Sequence, residues 1–554
     1  MTWATAQSDS LMVLTNGARV PAPWPPKVEM NYAPMPLPYM ECRPEVIPID
    51  CGRQLFVDDY LIEENTLERV AHTPKKVDFN PILKAETPLE IGAYGTPGAS
   101  AKDGGVWWDS RDGVFKMWYE AGWLQTMAYA VSKDGIHWER PSLNENGNNA
   151  IVEDIVADSS TAWLDWSTDD ESQRYKMFLR SPNTVPHSKI RYKTGWCMTS
   201  PDGIHWDNRV ETGPCGDRST VFYNPFIGKW VYSLRNSGNV DKVKIGRHRR
   251  YHECEDFMKG ASWKKEDMLF WLGADSLDTP EPSIGDKAQL YNLSAVAYEG
   301  IMIALPQIHR GPSNKICQHT GIPKITDLTI AYSRDGFHWD RRDRGIFIGS
   351  ERTEGNWDRG YVQSVGGICN IVGDQLWFHY IGFSGNSGLI DSAYEYNGMH
   401  YGGATGMAVM RRDGFVSMEA GKTAGTLVTR PVVFSGSYMF VNVDCPKGSL
   451  KVEVLDKDGN VLKGFTCKDC KVIKEDSTIA KVKFKENLAQ LAGQPVRFRF
   501  TLENGALYAF WVTSDKNGAS HGYMAAGGPG IARDKDEEGL KAYKTAKKYQ
   551  LKKY

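Results

Sequence analysis

Ser132-Lys133-Asp134-Gly135-Ile136-His137-Trp138 is one of three copies of a Ser-x-Asp-Gly-x-His-Trp heptapeptide. The others are Ser200-Pro201-Asp202-Gly203-Ile204-His205-Trp206 and Ser333-Arg334-Asp335-Gly336-Phe337-His338-Trp339. The first two copies start 68 residues apart and the last two 133, nearly double, so a degenerate copy is expected near residue 266. Glu255-Asp256-Phe257 followed by Ser262-Trp263 fills that place. Arg412-Asp413-Gly414-Phe415 adds a fifth copy, 78 residues after Asp335. Asp-Gly between strand-like segments marks a hairpin, because glycine accepts the positive φ such turns require. Five turns at this spacing predict a small sheet repeated about an axis, an all-β five-bladed β-propeller. The repeated histidines and tryptophans (His137, His205 and His338; Trp138, Trp206 and Trp339) are read as hairpin packing, since a single active site needs no copies.

The segment upstream of each turn repeats in pattern. Val106-Trp107-Trp108 turns into Phe115-Lys116-Met117-Trp118-Tyr119, and Val221-Phe222-Tyr223 into Lys229-Trp230-Val231-Tyr232. Val296-Ala297-Tyr298 likewise precedes Ile301-Met302-Ile303-Ala304-Leu305. Each is a short apolar strand, a tight turn and an alternating strand. Residues 1–50, rich in proline, read as an extended arm. Gln54–Ile62 reads as a strand that completes the last blade, and 51–428 is assigned to the propeller. From Tyr438 the period is two, with Asp456-Lys457-Asp458-Gly459-Asn460 as a hairpin, so 429–513 is read as an antiparallel β-sandwich. Residues 514–554 form a polar tail, helical and lysine-rich at its end.

The chain has 554 residues and a net charge of −2, ample for two domains and poor for a nucleic-acid partner. No apolar stretch is long enough to span a bilayer. Ten cysteines give no disulfide framework. Cys467-x-x-Cys470 reads as a short disulfide, a redox pair or two plain thiols, with Cys445 as an alternative partner. No metal ligand set and no cofactor are expected, with the channel left open to a structural cation. No signal peptide is visible, and an extracytoplasmic setting, periplasmic or secreted, is the expectation.

A five-bladed propeller followed by a small sandwich resembles glycoside hydrolase families 32, 43 and 68. Asn80-Pro81-Ile82-Leu83, which opens the first blade, is similar to the Asn-Pro-x-Leu segment found there and in family 130. The resemblance covers roughly residues 50–512 in architecture and is limited in sequence to that tetrapeptide and the blade turns. The Trp-x-Asn-Asp-Pro and Arg-Asp-Pro motifs of family 32 are absent, which marks a divergent or separate family. No catalytic residue is carried over by motif. Glu253-Cys254 is similar to the Glu-Cys acid/base of family 32, but the repeat register puts it on the outer part of a blade.

The resemblance implies a glycosidase acting on a plant, algal or host oligosaccharide or polysaccharide. Such an enzyme needs two carboxyl groups across the scissile bond, one of them protonated. Acids just before each blade's first strand would meet at the channel mouth: Glu90 (with Glu86 nearby), Asp158, Asp217, Asp286 and Asp358. Asp217 is expected to work as an ionised base or stabiliser beside Arg218, with Glu90 or Asp286 as proton donor. Arg218 and Arg359 could hold an anionic or polyhydroxylated substrate. His72 is expected to reach the mouth, and Tyr291 to stack on a sugar ring. Two alternatives stand beside this reading: a non-catalytic propeller that binds sugars or proteins, and a sialidase-like enzyme. The heptapeptide is similar to the sialidase Asp-box but lacks one residue between Asp and Gly.

Overall fold

The computed structural model describes residues 10–92, 95–182, 189, 192–240, 243–389 and 398–552. The chain is all-β, and most of its strands fall into two kinds of larger sheet. Five sheets are antiparallel and follow chain order. The first holds Ala99–Asp109, Val114–Ala121, Thr126–Ser132 and Ala150–Val152, and the second Ser159–Leu164, Tyr175–Arg180, Gly195–Ser200 and Asp207–Glu211. The third holds Thr220–Asn224, Lys229–Val240, Val243–Cys254 and Leu269–Gly273. In the fourth, Gln289–Glu299 pairs with Ile301–Gly311, which pairs in turn with Ile325–Leu328 and Ala331–Ser333. The fifth holds Gly360–Val372, Gln375–Phe383 and Gly403–Arg411. The first strands touch in succession, and Gly360–Val372 returns to Ala99–Asp109, so the five close a ring. These strands are covered on both faces, and every residue of Gly360–Val372 is buried. Apolar runs without alternation are what such burial produces.

The heptapeptide is a self-capped turn. Ser132 Oγ accepts the Gly135 N–H at 2.8 Å, and Asp134 Oδ1 accepts the N–H groups of Ile136 and His137, both at 2.8 Å. His137 Nδ1 lies 2.8 Å from Asp134 Oδ2. The same bonds recur at Ser200–His205 and Ser333–His338. Gly135, Gly203 and Gly336 have φ of 76°, 83° and 76°, where a Cβ would be strained. The degenerate copy keeps the acid's role, since Asp256 Oδ1 accepts the N–H groups of Met258 and Lys259. The turns also tie sheets together: Trp118 Nε1 donates to Gly203 O, and Asn224 Nδ2 to Asp335 O, each at 2.7 Å.

Among the described residues, a two-stranded sheet, Leu11–Val13 with Arg19–Pro21, and two six-stranded sheets accompany the ring. One runs Asp476–Val482, Tyr438–Asp444, Gly505–Thr513, Val416–Ala420, Glu68–Ala71, with Gln54–Leu55 also on Gly505–Thr513. The other runs Ile47–Pro48, Val432–Val433, Val496–Glu503, Gly425–Thr429, Ile62–Asn65, with Ser449–Asp456 also on Val496–Glu503. Here alternation is plain: Val496–Glu503 buries Val496, Phe498, Phe500 and Leu502 and turns the residues between outward.

This pairing corrects the sequence reading at the ring's closure. Gln54–Leu55 does not complete the fifth sheet; Lys75–Lys76 does, against Ala408 and Val409. Two residues are too few to show a period. The segment after Ser514 is also part of the packed structure. Tyr523–Met524 adds a strand to Gln289–Glu299, and the helix Leu540–Ala546 brings Tyr543 OH within 3.0 Å of Arg53. Arg53 and Arg412 there meet Glu299, Asp413 and Asp536 in an ion cluster almost wholly shielded from water. Cys445, Cys467 and Cys470 are free thiols.

Candidate active site

The first strands of the second and third sheets open on matching tetrapeptides, Asp158-Ser159-Ser160-Thr161 and Asp217-Arg218-Ser219-Thr220. Asp158 and Asp217 thereby stand at equivalent ring positions, and a polar cluster has grown around each.

Asp217 Oδ1 is ion-paired with Arg235, and Oδ2 accepts the Tyr291 hydroxyl at 2.9 Å. Tyr291 OH lies 3.1 Å from Tyr361 OH. Burial alone would raise the Asp217 carboxyl. Arg235, then Lys324 and the Tyr291 hydrogen bond outweigh it and hold the group well below the usual carboxylate range. Lys324 carries its ammonium 5.5 Å from the Tyr291 ring centre and 5.0 Å from that of Tyr361. Burial and the nearby Arg247 push that lysine down to about 7.

Around Asp158 the arrangement is different. Lys102 Nζ sits 3.0 Å from Asp158 Oδ1 and 3.2 Å from Glu120 Oε2, and 4.2 Å from the Trp123 ring centre. Trp123 stacks on His400 with centroids 4.0 Å apart. Glu120 is 3 % exposed. Burial, aided by Asp158 and opposed by Lys102, pushes it up to about 7. Arg235 responds to Asp158 as well as to Asp217, so the two clusters share one electrostatic environment. Tyr361 also feels both acids.

Beneath them, Arg218 is wholly buried and pairs with Asp103 at 2.5 Å, with Gln307 Oε1 at 3.3 Å. Asn292 Nδ2 donates to Asp103 at 2.9 Å. Adjacency in sequence misleads here: Arg218 does not serve Asp217. Its φ of 60° is left-handed, and its side chain takes a different partner from its neighbour's.

The other expected residues are placed as follows. Glu90 is the third residue of the helix Pro88–Ile91 and closes its capping box, with Oε2 accepting the N–H groups of Glu86 and Thr87. Its Oε1 takes Arg140 at 2.6 Å and Tyr119 OH at 2.7 Å, leaving a structural acid. Asp358 holds the closing strand through Lys76 Nζ at 2.7 Å and accepts Tyr380 OH at 3.0 Å. Asp286 is half-buried beside Gly311 and Cys317. Among the described residues Arg359 has Glu354, at 3.9 Å, as its ion-pair partner, whereas Arg218 takes Asp103. His72 bonds Ser417 at 2.7 Å within a six-stranded sheet, away from the ring's strand starts. Glu253 accepts Trp24 Nε1 and Tyr251 OH on the third strand of its sheet. None of the five expected acids lines the cavity of about 540 Å³ between residues 26–37 of the arm, 270–277 and 338–344. Among the described residues, no three His, Cys, Asp or Glu side chains form a metal-binding group.

Glu120, Lys102, Asp103, Arg235 and Lys324 were not singled out in the sequence. The one signal for them is charge inside otherwise buried strands, as in Ala101-Lys102-Asp103-Gly104, where ionised groups are rare unless paired.

No family model matches the chain, and no curated protein matches it in sequence. Solved structures similar to it include an N-acetylgalactosamine deacetylase from F. plautii in complex with blood group B trisaccharide. It is 14 % identical over 62 % of this chain and 96 % of its own, with a TM-score of 0.42. A family 32 beta-fructofuranosidase of Bombyx mori is 11 % identical over 78 % of this chain and 94 % of its own, at 0.36. A fructofuranosidase of Schwanniomyces occidentalis complexed with fructosylnystose is 10 % identical over 80 % and 98 %, also at 0.36. Glycoside hydrolases thus recur among the structures this chain is similar to, at scores too low to transfer a residue.

Proposed function

We propose that the five ringed sheets are the blades of a five-bladed β-propeller and that the two six-stranded sheets form a β-sandwich beside it. The propeller would span residues 75–411 with Tyr523–Met524, and the sandwich 47–71 with 416–513. The cluster at the blade starts would hydrolyse a glycosidic bond in an oligosaccharide or polysaccharide of plant, algal or host origin. No helix of the described residues is long and apolar enough to cross a membrane, and a periplasmic or secreted setting belongs to the same proposal.

One observation carries the reading. Two carboxyl groups in a shared environment are pushed apart in acidity, Glu120 up to about 7 and Asp217 well down. That division is what acid and base roles at neutral pH require. Glu120 would give its proton to the leaving oxygen, and the carboxylate so formed would face Lys102, already 3.2 Å away. Asp217, kept ionised by Arg235, would attack the anomeric carbon or take a proton from attacking water. Asp158 would keep Lys102 in place and sustain the high Glu120 value. Tyr291 and Tyr361 would wall the space between. The test is turnover of aryl glycosides and plant or algal oligosaccharides by the wild type, Glu120→Gln and Asp217→Asn. Both variants should lose turnover while keeping the wild-type fold. Activity in either would remove that residue from the mechanism.

A further inference from the structure

Basic side chains crowd the Asp217 end of the cluster and outnumber the acids facing them. Arg235, Arg247 and Lys324 place their charges 5.9, 4.9 and 5.5 Å from the centre of the Tyr291 ring. Asp217 is matched to Arg235. Arg247 spends its side-chain donors on neutral groups, Gln289 Oε1 at 3.0 Å and Asn314 Oδ1 at 3.5 Å. Lys324 is 4 % exposed; its ammonium has no hydrogen bond or direct ion pair among the described residues, lies against the faces of Tyr291 and Tyr361 and feels Asp217 only from farther off. His309, 2 % exposed, is driven neutral by burial and by Arg247 and Lys324. Asp286 and Lys324 both act on the Cys317 thiol, with no ion pair between the two among the described residues. The place is open to solvent, since the side chains of Arg235 and Asp217 keep 16 % and 21 % exposure.

A buried amine without a direct counter-ion is costly to charge and sheds its proton more readily, as Lys324 does, so an arriving anion would restore its charge. A neutral sugar would leave it unpaired. An anionic one would pair it and would also meet Arg247, whose guanidinium can donate its remaining N–H groups to carboxylate or sulfate oxygens.

We propose that the sugar unit bound beside Asp217 carries an anion, a carboxylate or a sulfate ester, received by Lys324 and Arg247 with Arg235 at its edge. This rests on the glycosidase reading and narrows its substrates to acidic or sulfated glycans.

Titration calorimetry on the full chain with glucuronate, glucose 6-sulfate and glucose, at constant ionic strength, tests it. One or both anions should bind at least about tenfold more tightly than glucose, a charge-assisted contact's worth. The stronger of the two identifies carboxylate or sulfate as the group. Lys324→Met and Arg247→Ala should each remove that preference, whereas Lys324→Arg should keep it. Lys324→Met should keep the wild-type circular dichroism spectrum, because the amine makes no hydrogen bond among the described residues. If it does not fold, half-buried Arg247→Ala decides alone. Equal binding of glucose and both anions, no binding of either anion, or an anion preference untouched in Arg247→Ala would overturn the inference. Cleavage of neutral glycosides with unchanged turnover in Lys324→Met would overturn it and leave the glycosidase reading intact. Anion binding that survives in Asp217→Asn, in a protein that cleaves no glycan, would support it and defeat the glycosidase reading instead.

Discussion

Glu120→Gln should separate stability from activity. In the unfolded chain this carboxyl titrates near its ordinary 4.5, and in the folded protein near 7. The native state therefore holds a proton between those values that the unfolded state has released. Stability from this group is fully present below about pH 4.5 and is lost as pH rises to about 7. At 1.36 kcal/mol per pH unit the loss is about 3 kcal/mol above pH 7. Glutamine is neutral throughout and imitates the protonated acid, so the variant should escape that loss. Thermal melts from pH 4 to 8 should show the wild type falling by a few degrees relative to Glu120→Gln across this window, with the variant the more stable at pH 8. Its amide still accepts the Leu124 N–H, which Glu120 Oε1 takes at 2.7 Å, and Lys102 still has Asp158. Turnover should nevertheless fall by about 10²–10⁴, the share a positioned acid supplies. A variant that melts below the wild type at pH 8, or with the same pH dependence, would refute both the buried-acid argument and the donor role built on it.

Arg218→Met leaves Asp103 buried without its counter-ion and should cost about 3–5 kcal/mol in denaturant unfolding; Asp103→Asn in the same chain should recover part of it. Removal of residues 515–554 takes Asp536 and Tyr543 from Arg53 and Arg412 and bares the edge of Gln289–Glu299, so the truncated chain should aggregate or melt well below the full one, as read by light scattering and calorimetry. Glu90→Gln should weaken the start of the Pro88–Ile91 helix, by about 1 kcal/mol for the cap alone, and leave kcat at the wild-type level, because Glu90 serves Arg140, Tyr119 and its own helix.

The repeat was legible because its chemistry is local. A serine and an aspartate cap N–H groups within three residues of themselves, and glycine supplies the positive φ, so each copy carries its own explanation in seven letters. Asp158 and Asp217 were legible from position alone, as acids preceding a first strand. Their partners were not. Arg235 lies on a second strand and Lys324 before a third, and nothing local in their flanking residues marks them as partners of Asp217. Glu120 and Lys102 sit in strands buried on both faces, where hydrophobic alternation vanishes and gives no clue to direction. Arg218 shows the converse failure: its neighbour in sequence suggested a pair, and a left-handed φ gave it to Asp103. The closing strand Lys75–Lys76 is two residues long and recognisable only through Ala408 and Val409 opposite it.

The account turns on Asp217 being the ionised carboxylate at the reacting centre. Turnover by Asp217→Asn, beside wild type on whichever aryl glycoside or oligosaccharide the wild type cleaves, tests this most directly. The account predicts a loss of about 10²–10⁴ in kcat, with the far-ultraviolet circular dichroism spectrum unchanged. Turnover at the wild-type level would contradict it.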